Sequence, residues 1–157
     1  MKNLLVNAAW CVTIFVGLLL GGLFGSESAN VVVGSHPGSK AQSTQPVDEL
    51  AQGLKLAAEK INQRGAVMVD SETRWDSASF KSPHELTYHF TMINFSSRDL
   101  DTQWLTNNLA PIVRDQACKS GQLNSTLKLG ARYNYAYSGN DGQEIGRFGL
   151  TRAHCAL

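Results

Sequence analysis

The stretch "VDSETRWDSASFKSPHELTYHFTMINF", Val69 to Phe95, decides how this chain folds. Its second half alternates, with Leu86, Tyr88, Phe90 and Met92 on one side and Thr87, His89, Thr91 and Ile93 on the other. A period of two marks a β-strand, because successive side chains point to opposite faces. Both sets carry apolar or β-branched residues, so one face is read as core and the other as at least partly covered. "KSPHE", Lys81 to Glu85, interrupts with proline and polar residues, so an earlier strand precedes this one across a turn. In that earlier strand Trp75 and Ser77 are expected to oppose Asp76 and Ala78.

A second pair of strands lies near the C-terminus. In "ARYNYAYSGNDGQEIGRFGLTRAHC" the tyrosines Tyr133, Tyr135 and Tyr137 alternate onto one face. "GNDG" reads as a tight hairpin turn, since Asn and Gly accept the positive φ it requires. The returning strand is expected from Glu144 to about Thr151.

Each strand pair follows a helical pattern. In "PVDELAQGLKLAAEKINQRG", Leu50, Leu54, Ala57, Ala58 and Ile61 recur at helical spacing. Asp48 and Glu49 suit its first turn, Lys60 and Arg64 its last, and Gly65 stops it. In "SSRDLDTQWLTNNLAPIVRDQACKSG", Asp99 or Asp101 is a natural N-cap, and Leu100, Trp104, Leu105, Leu109, Ile112, Val113 and Ala117 form a stripe. Pro111 removes a backbone donor inside that stripe and is expected to kink or split the helix. Ser120–Gly121 ends it, and "NSTLKLG" reads as a turn or short helical piece. The order helix, strand, strand, helix, strand, strand predicts an α+β domain. Its expected form is a four-stranded antiparallel sheet with helices on one face, preceded by an N-terminal hydrophobic helix.

That N-terminal segment sets the compartment. From Asn3 to Ser26 there is no charge, Lys2 lies before the apolar stretch, and Glu27 is the first charge after it. The apolar stretch from Ala8 to Phe24 is 17 residues, at the short end for a membrane span and on the long side for a signal peptide. A retained anchor through residues 4–24 is preferred, with the N-terminus cytoplasmic and the domain periplasmic at a bacterial inner membrane. The alternative is signal cleavage and release to the periplasm. Cys11 follows Trp10 rather than a small residue, so it does not make a lipoprotein site. The resulting organisation is an anchor or signal over 1–26, a Gly/Ser/Pro/Gln-rich flexible linker over 27–46, and an exported domain over 47–157. With 14 basic and 13 acidic residues and no run of like charge, nucleic acid is not an expected partner.

Outside the cytosol, two cysteines in one small domain read as a disulfide. Cys118 is expected at the end of the second helix and Cys155 at the end of the last strand, and a helix packed on the sheet can bring the two together. A catalytic thiol would need an activating histidine, yet His154 adjoins Cys155 on a strand and points to the other face. A metal site would need a tight ligand pair, whereas Cys118, Cys155, His36, His84, His89 and His154 are scattered. No metal and no cofactor are expected. Cys11 is left as apolar filler.

Other clusters have plain readings. Glu72, Arg74 and Asp76 can form an ion-pair ladder on one strand face, rather than a pair of catalytic carboxylates with Asp70. Tyr133, Tyr135 and Tyr137, with Arg132 and Arg152, could stack a ligand, but a sheet face beneath a helix explains them better. No nucleophile-elbow, zinc-protease, Walker or dinucleotide-binding pattern is present.

"MVDSETRWDSAS", "LTYHFTMINFSS", the helix ending "ACKSG" and "YNYAYSGNDGQEIGRF" with its terminal cysteine together resemble a group of small exported bacterial domains. These are mostly uncharacterised and share an α-β-β-α-β-β layout with a helix-to-last-strand disulfide. The layout is also similar to that of the α/β pilotins, which help outer-membrane secretin subunits reach and assemble in the outer membrane. Those pilotins are usually lipoproteins, and this chain lacks the lipoprotein site, so no residue role is carried over. The resemblance spans Val47 to Cys155.

The functional expectation is a non-enzymatic accessory or assembly factor working by protein contact at the membrane. A peptide or helix would dock between helix and sheet, or along a strand edge. Trp75, Tyr133, Tyr135 and Tyr137 are the candidate contact residues, because aromatics anchor interfaces. The alternatives are a periplasmic small-ligand binder or hydrolase-like enzyme using His89 and carboxylates near Asp76, and a structural subunit contacting partners through a stripe of Gly17, Gly21 and Gly22 in its membrane segment.

Overall fold

The computed structural model describes residues 46–81 and 83–157. The expected anchor, its glycine stripe and most of the linker lie outside the described residues. Helix α1 (Pro46–Arg64) opens the domain with proline at its first position, where a missing N–H costs nothing. It ends at Gly65, whose φ of 80° suits glycine. A two-residue strand β1 (Val67–Met68) follows, then β2 (Thr73–Lys81) and β3 (Glu85–Met92).

The second helical region is not one helix. It comprises α2 (Thr102–Trp104), a π-helical turn (Leu105–Leu109), α3 (Ala110–Lys119) and α4 (Gly121–Lys128). Asp101 caps the start, its carboxylate accepting from the Trp104 N–H at 2.7 Å. Ser120 ends α3 and caps α4, so the Ser-Gly stop is also a restart. Gly130, with φ of 98°, closes α4 as its N–H and that of Ala131 bond back to Leu127 and Thr126. Strands β4 (Arg132–Gly139) and β5 (Glu144–Leu150) then form the hairpin expected around Asn140–Gly142, and a 3₁₀ turn (Arg152–Cys155) carries the tail.

The sheet corrects the expected four antiparallel strands. It has five, in the order β1-β2-β3-β4-β5, and β3 pairs with β4 in parallel, Glu85 opposite Arg132 and Phe90 opposite Tyr137. Two hairpins need not join head to tail. The long helical connection carries the chain back to the start of β3, which is the crossover a parallel pair requires. The short β1 adds the fifth strand, placing Val67 opposite Trp75.

A bulge between Trp75 and Ser77 corrects a second detail. The extra residue shifts the alternation, so Trp75 and Ala78 face the core while Ser77, opposite His89, does not. The core therefore gathers Trp75, Ala78, Leu86, Tyr88 and Phe90 with Tyr133, Tyr135, Tyr137, Phe148 and Leu150, beneath Leu54, Ile61, Leu105, Val113, Leu123 and Leu127 of the helices. Aromatic rings tile it from strand to strand. Tyr88 stacks near Tyr133, Phe90 lies 5.0 Å from Tyr137, and Tyr135 lies 5.3 Å from Phe148.

Candidate functional site

The four aromatic contact candidates all lie in this core. Trp75, Tyr133, Tyr135 and Tyr137 are each 2 % exposed or less, so in this conformation they offer no side-chain surface to a partner. Burial pushes the Tyr133 hydroxyl up to about 12 and raises those of Tyr88, Tyr135 and Tyr137 further still. The Tyr133 hydroxyl shares a 2.6 Å hydrogen bond with Thr126. Cys118 and Cys155 meet, with Cα atoms 5.2 Å apart and their sulfurs joined. The bond ties α3 to the C-terminal turn, where Thr151 and His154 cap one another.

With the aromatics inside, chemistry that can meet a partner lies on the opposite face of the sheet and along its edges. The strand registers set out that face. Arg74, Thr91 and Ser138 form one row, Ser77, His89, Ala136 and Arg147 the next, and Ser79, Thr87, Asn134 and Gly149 the third. It carries no aromatic side chain in these rows. Of the expected ladder of Glu72, Arg74 and Asp76, the Arg74–Asp76 pair is present. Asp76 also accepts from the Thr91 hydroxyl at 2.6 Å. Asp70 instead turns onto the backbone N–H groups of Glu72 and Thr73.

His89 and Asp76 are not brought together. His89 shares a 2.8 Å hydrogen bond with the Ser79 hydroxyl. Asp76 is committed to Arg74 and Thr91. Glu144 grips Arg147 in a forked pair, and that hydrogen bonding, with the guanidinium charge, holds the Glu144 carboxyl below its ordinary value. Asn134 donates to Glu85 at 2.9 Å. Among the described residues no three His, Cys, Asp or Glu groups could hold a metal ion together. No described helix is long and apolar enough to cross a membrane.

Side chains cap parts of both sheet edges. On β2, the Asn62 carboxamide donates to the Ala78 carbonyl at 2.9 Å and accepts from the Ala78 N–H at 2.8 Å. The Trp75 indole donates to the Ser77 carbonyl at 3.1 Å. On β5, the Thr102 hydroxyl donates to Ile145 and the Arg114 guanidinium to Gly149. These caps had no signal in the sequence. Asn62 looks like polar helix surface, and only the bulge and the shortness of β1 give it an edge to cover.

This architecture recurs in solved structures. A Pseudomonas aeruginosa protein described as a candidate secreted protein matches with a TM-score of 0.56 and 14% identity, over 71% of this chain and 98% of that one. AspS, a type II secretion system pilotin of Vibrio cholerae, matches with a TM-score of 0.54 and 13% identity, over 69% of this chain and 94% of its own. The fold is shared with pilotins. EpsS, a type 2 secretion pilotin of Vibrio vulnificus, matches at 0.51 and 16% identity over 68% and 96% of the two chains. The layout resemblance read from the sequence thus extends to the three-dimensional fold. No protein-family model and no curated protein sequence matches the chain.

Proposed function

We propose that this chain is an exported accessory factor of a secretion complex, held at the membrane through residues 4–24 and working by protein contact rather than catalysis. The observation that carries the reading is a fold shared with two secretion pilotins over nearly their whole length. The open face supports it, because its polar groups bond to one another instead of converging on a reacting position.

Of the two docking modes open to such a domain, strand addition would have to displace Asn62 on one edge or Thr102 and Arg114 on the other. The favoured mode is a partner helix or peptide lying between helix and sheet. Trp75, Tyr133, Tyr135 and Tyr137, buried while no partner is docked, would then form the floor beneath it once a helix gives way. The disulfide fixes one wall, since Cys118 belongs to α3. The test is assembly. Deleting the chain in its own host should lower the amount of assembled outer-membrane secretion complex, and the full chain should restore it. Unchanged assembly contradicts the role.

A further inference from the structure

We infer that Asn62 is an edge guard, closing β2 against antiparallel pairing with a second copy of this chain. Both backbone groups of Ala78 point away from β3, since both are taken by the Asn62 carboxamide. The strand period of two turns the N–H and C=O of Phe80 to the same side. β1 covers only Trp75 and Arg74, so beyond it Asn62 stands where a neighbouring strand would.

Removing the carboxamide unpins α1 from this edge, and the strand that α1 then uncovers is self-complementary. An antiparallel pairing of two β2 strands about a two-fold axis at Ser79 sets Ala78 opposite Phe80 and Ser77 opposite Lys81. The outward groups of Ala78 and Phe80 would then exchange both hydrogen bonds at each end. No like charges meet in that register, because Lys81 faces Ser77 and Ser79 faces itself. The core-side Ala78 and Phe80 would continue the buried face across the junction. Natural sheets block such edges with side chains that occupy the ladder positions, and Asn62 does so from a neighbouring helix.

The test uses the full chain in detergent, with mass read by analytical ultracentrifugation. Asn62→Ala should self-associate at least tenfold more tightly than the wild type. Adding Ser79→Lys, which sets two ammonium groups against each other on the axis, should return it to monomer. An Asn62→Ala chain no more associated than wild type overturns the inference, as does association that Ser79→Lys leaves intact. Should Asn62→Ala not fold, hydrogen exchange in the wild type decides. An Ala78 amide exchanging at least tenfold more slowly than that of Phe80 supports the guard, and equal rates overturn it.

Discussion

Thr102 rests directly on Gly146. The Thr102 hydroxyl donates to the Ile145 carbonyl at 2.9 Å, and a Cβ built on Gly146 would stand 2.5 Å from Thr102 Oγ1 and 3.0 Å from its Cα. The start of α2 can close the β5 edge only because position 146 has no side chain. Gly146→Ala should therefore push α2 off the sheet, costing about 1–3 kcal/mol. Urea unfolding measures it, and an unchanged midpoint would show that α2 adjusts without loss.

Two buried tyrosines should answer oppositely to loss of their hydroxyl. Tyr88 Oη is buried with no hydrogen-bond partner, while Tyr133 bonds Thr126 at 2.6 Å. Tyr88→Phe should leave stability unchanged or raise it by up to about 1 kcal/mol, because a desolvated polar group is removed. Tyr133→Phe should lower it by about 1 kcal/mol. Thermal or denaturant unfolding of the two variants side by side gives the sign.

Reduction should weaken the domain. The Cys118–Cys155 bond spans a sequence separation of 37, and a loop of this size stabilises by about 3–4 kcal/mol in the chain-entropy model. A Cys118→Ser, Cys155→Ser double variant should unfold at correspondingly lower denaturant. Exchange should quicken first in the Arg152–Cys155 turn. Identical stability with and without reductant would contradict a structural role.

Alkali should unfold the protein before it ionises the native tyrosines. The chain has four tyrosines, and the folded-state values of all four are raised. Groups raised in the folded state give stability that is complete below the unfolded value of about 10. It is lost as pH climbs toward and through the folded values, of which Tyr133 at about 12 comes first. Tyrosinate absorbance should thus be nearly absent just above pH ~10 and appear together with loss of structure. Tyrosinate forming in a protein that keeps its fold would refute the burial. At the acid end the sign reverses. Hydrogen bonds from Ser96 to Asp99 and from Ser97 to Asp141 lower both carboxyls, so their contribution is present above the unfolded carboxylate range and fades as pH falls through the folded values.

Much of this was legible in the residues themselves. The alternation of Leu86 to Met92, the leucine and alanine stripe of α1, and the Asn140–Gly142 turn reappear as β3, α1 and the β4–β5 hairpin. These are local signals, carried by periodicity and turn chemistry. The parallel pairing of β3 with β4 is different in kind, since it depends on where a connection of several helical pieces returns the chain. Pro111 announced a break but not its form. Lacking an N–H, it is preceded by a turn in which Ala110 donates five residues back to Leu105, so the helix is re-registered rather than ended. The bulge after Trp75 shifted one strand's facing by a single residue, which no alternation pattern could reveal. Function was less legible, because the aromatics that suggest an interface are the same ones that fill the core.

The most direct test of the protein-contact account is photo-crosslinking of the full chain in its native membranes. Reporters at Leu56 on α1 and Leu129 after α4, both exposed, sample the helix side, and reporters at Thr87 and Ser138 sample the open face. The account predicts adducts to a subunit of a secretion complex, concentrated at the helix-side positions. Adducts to no secretion subunit from any of the four would contradict it.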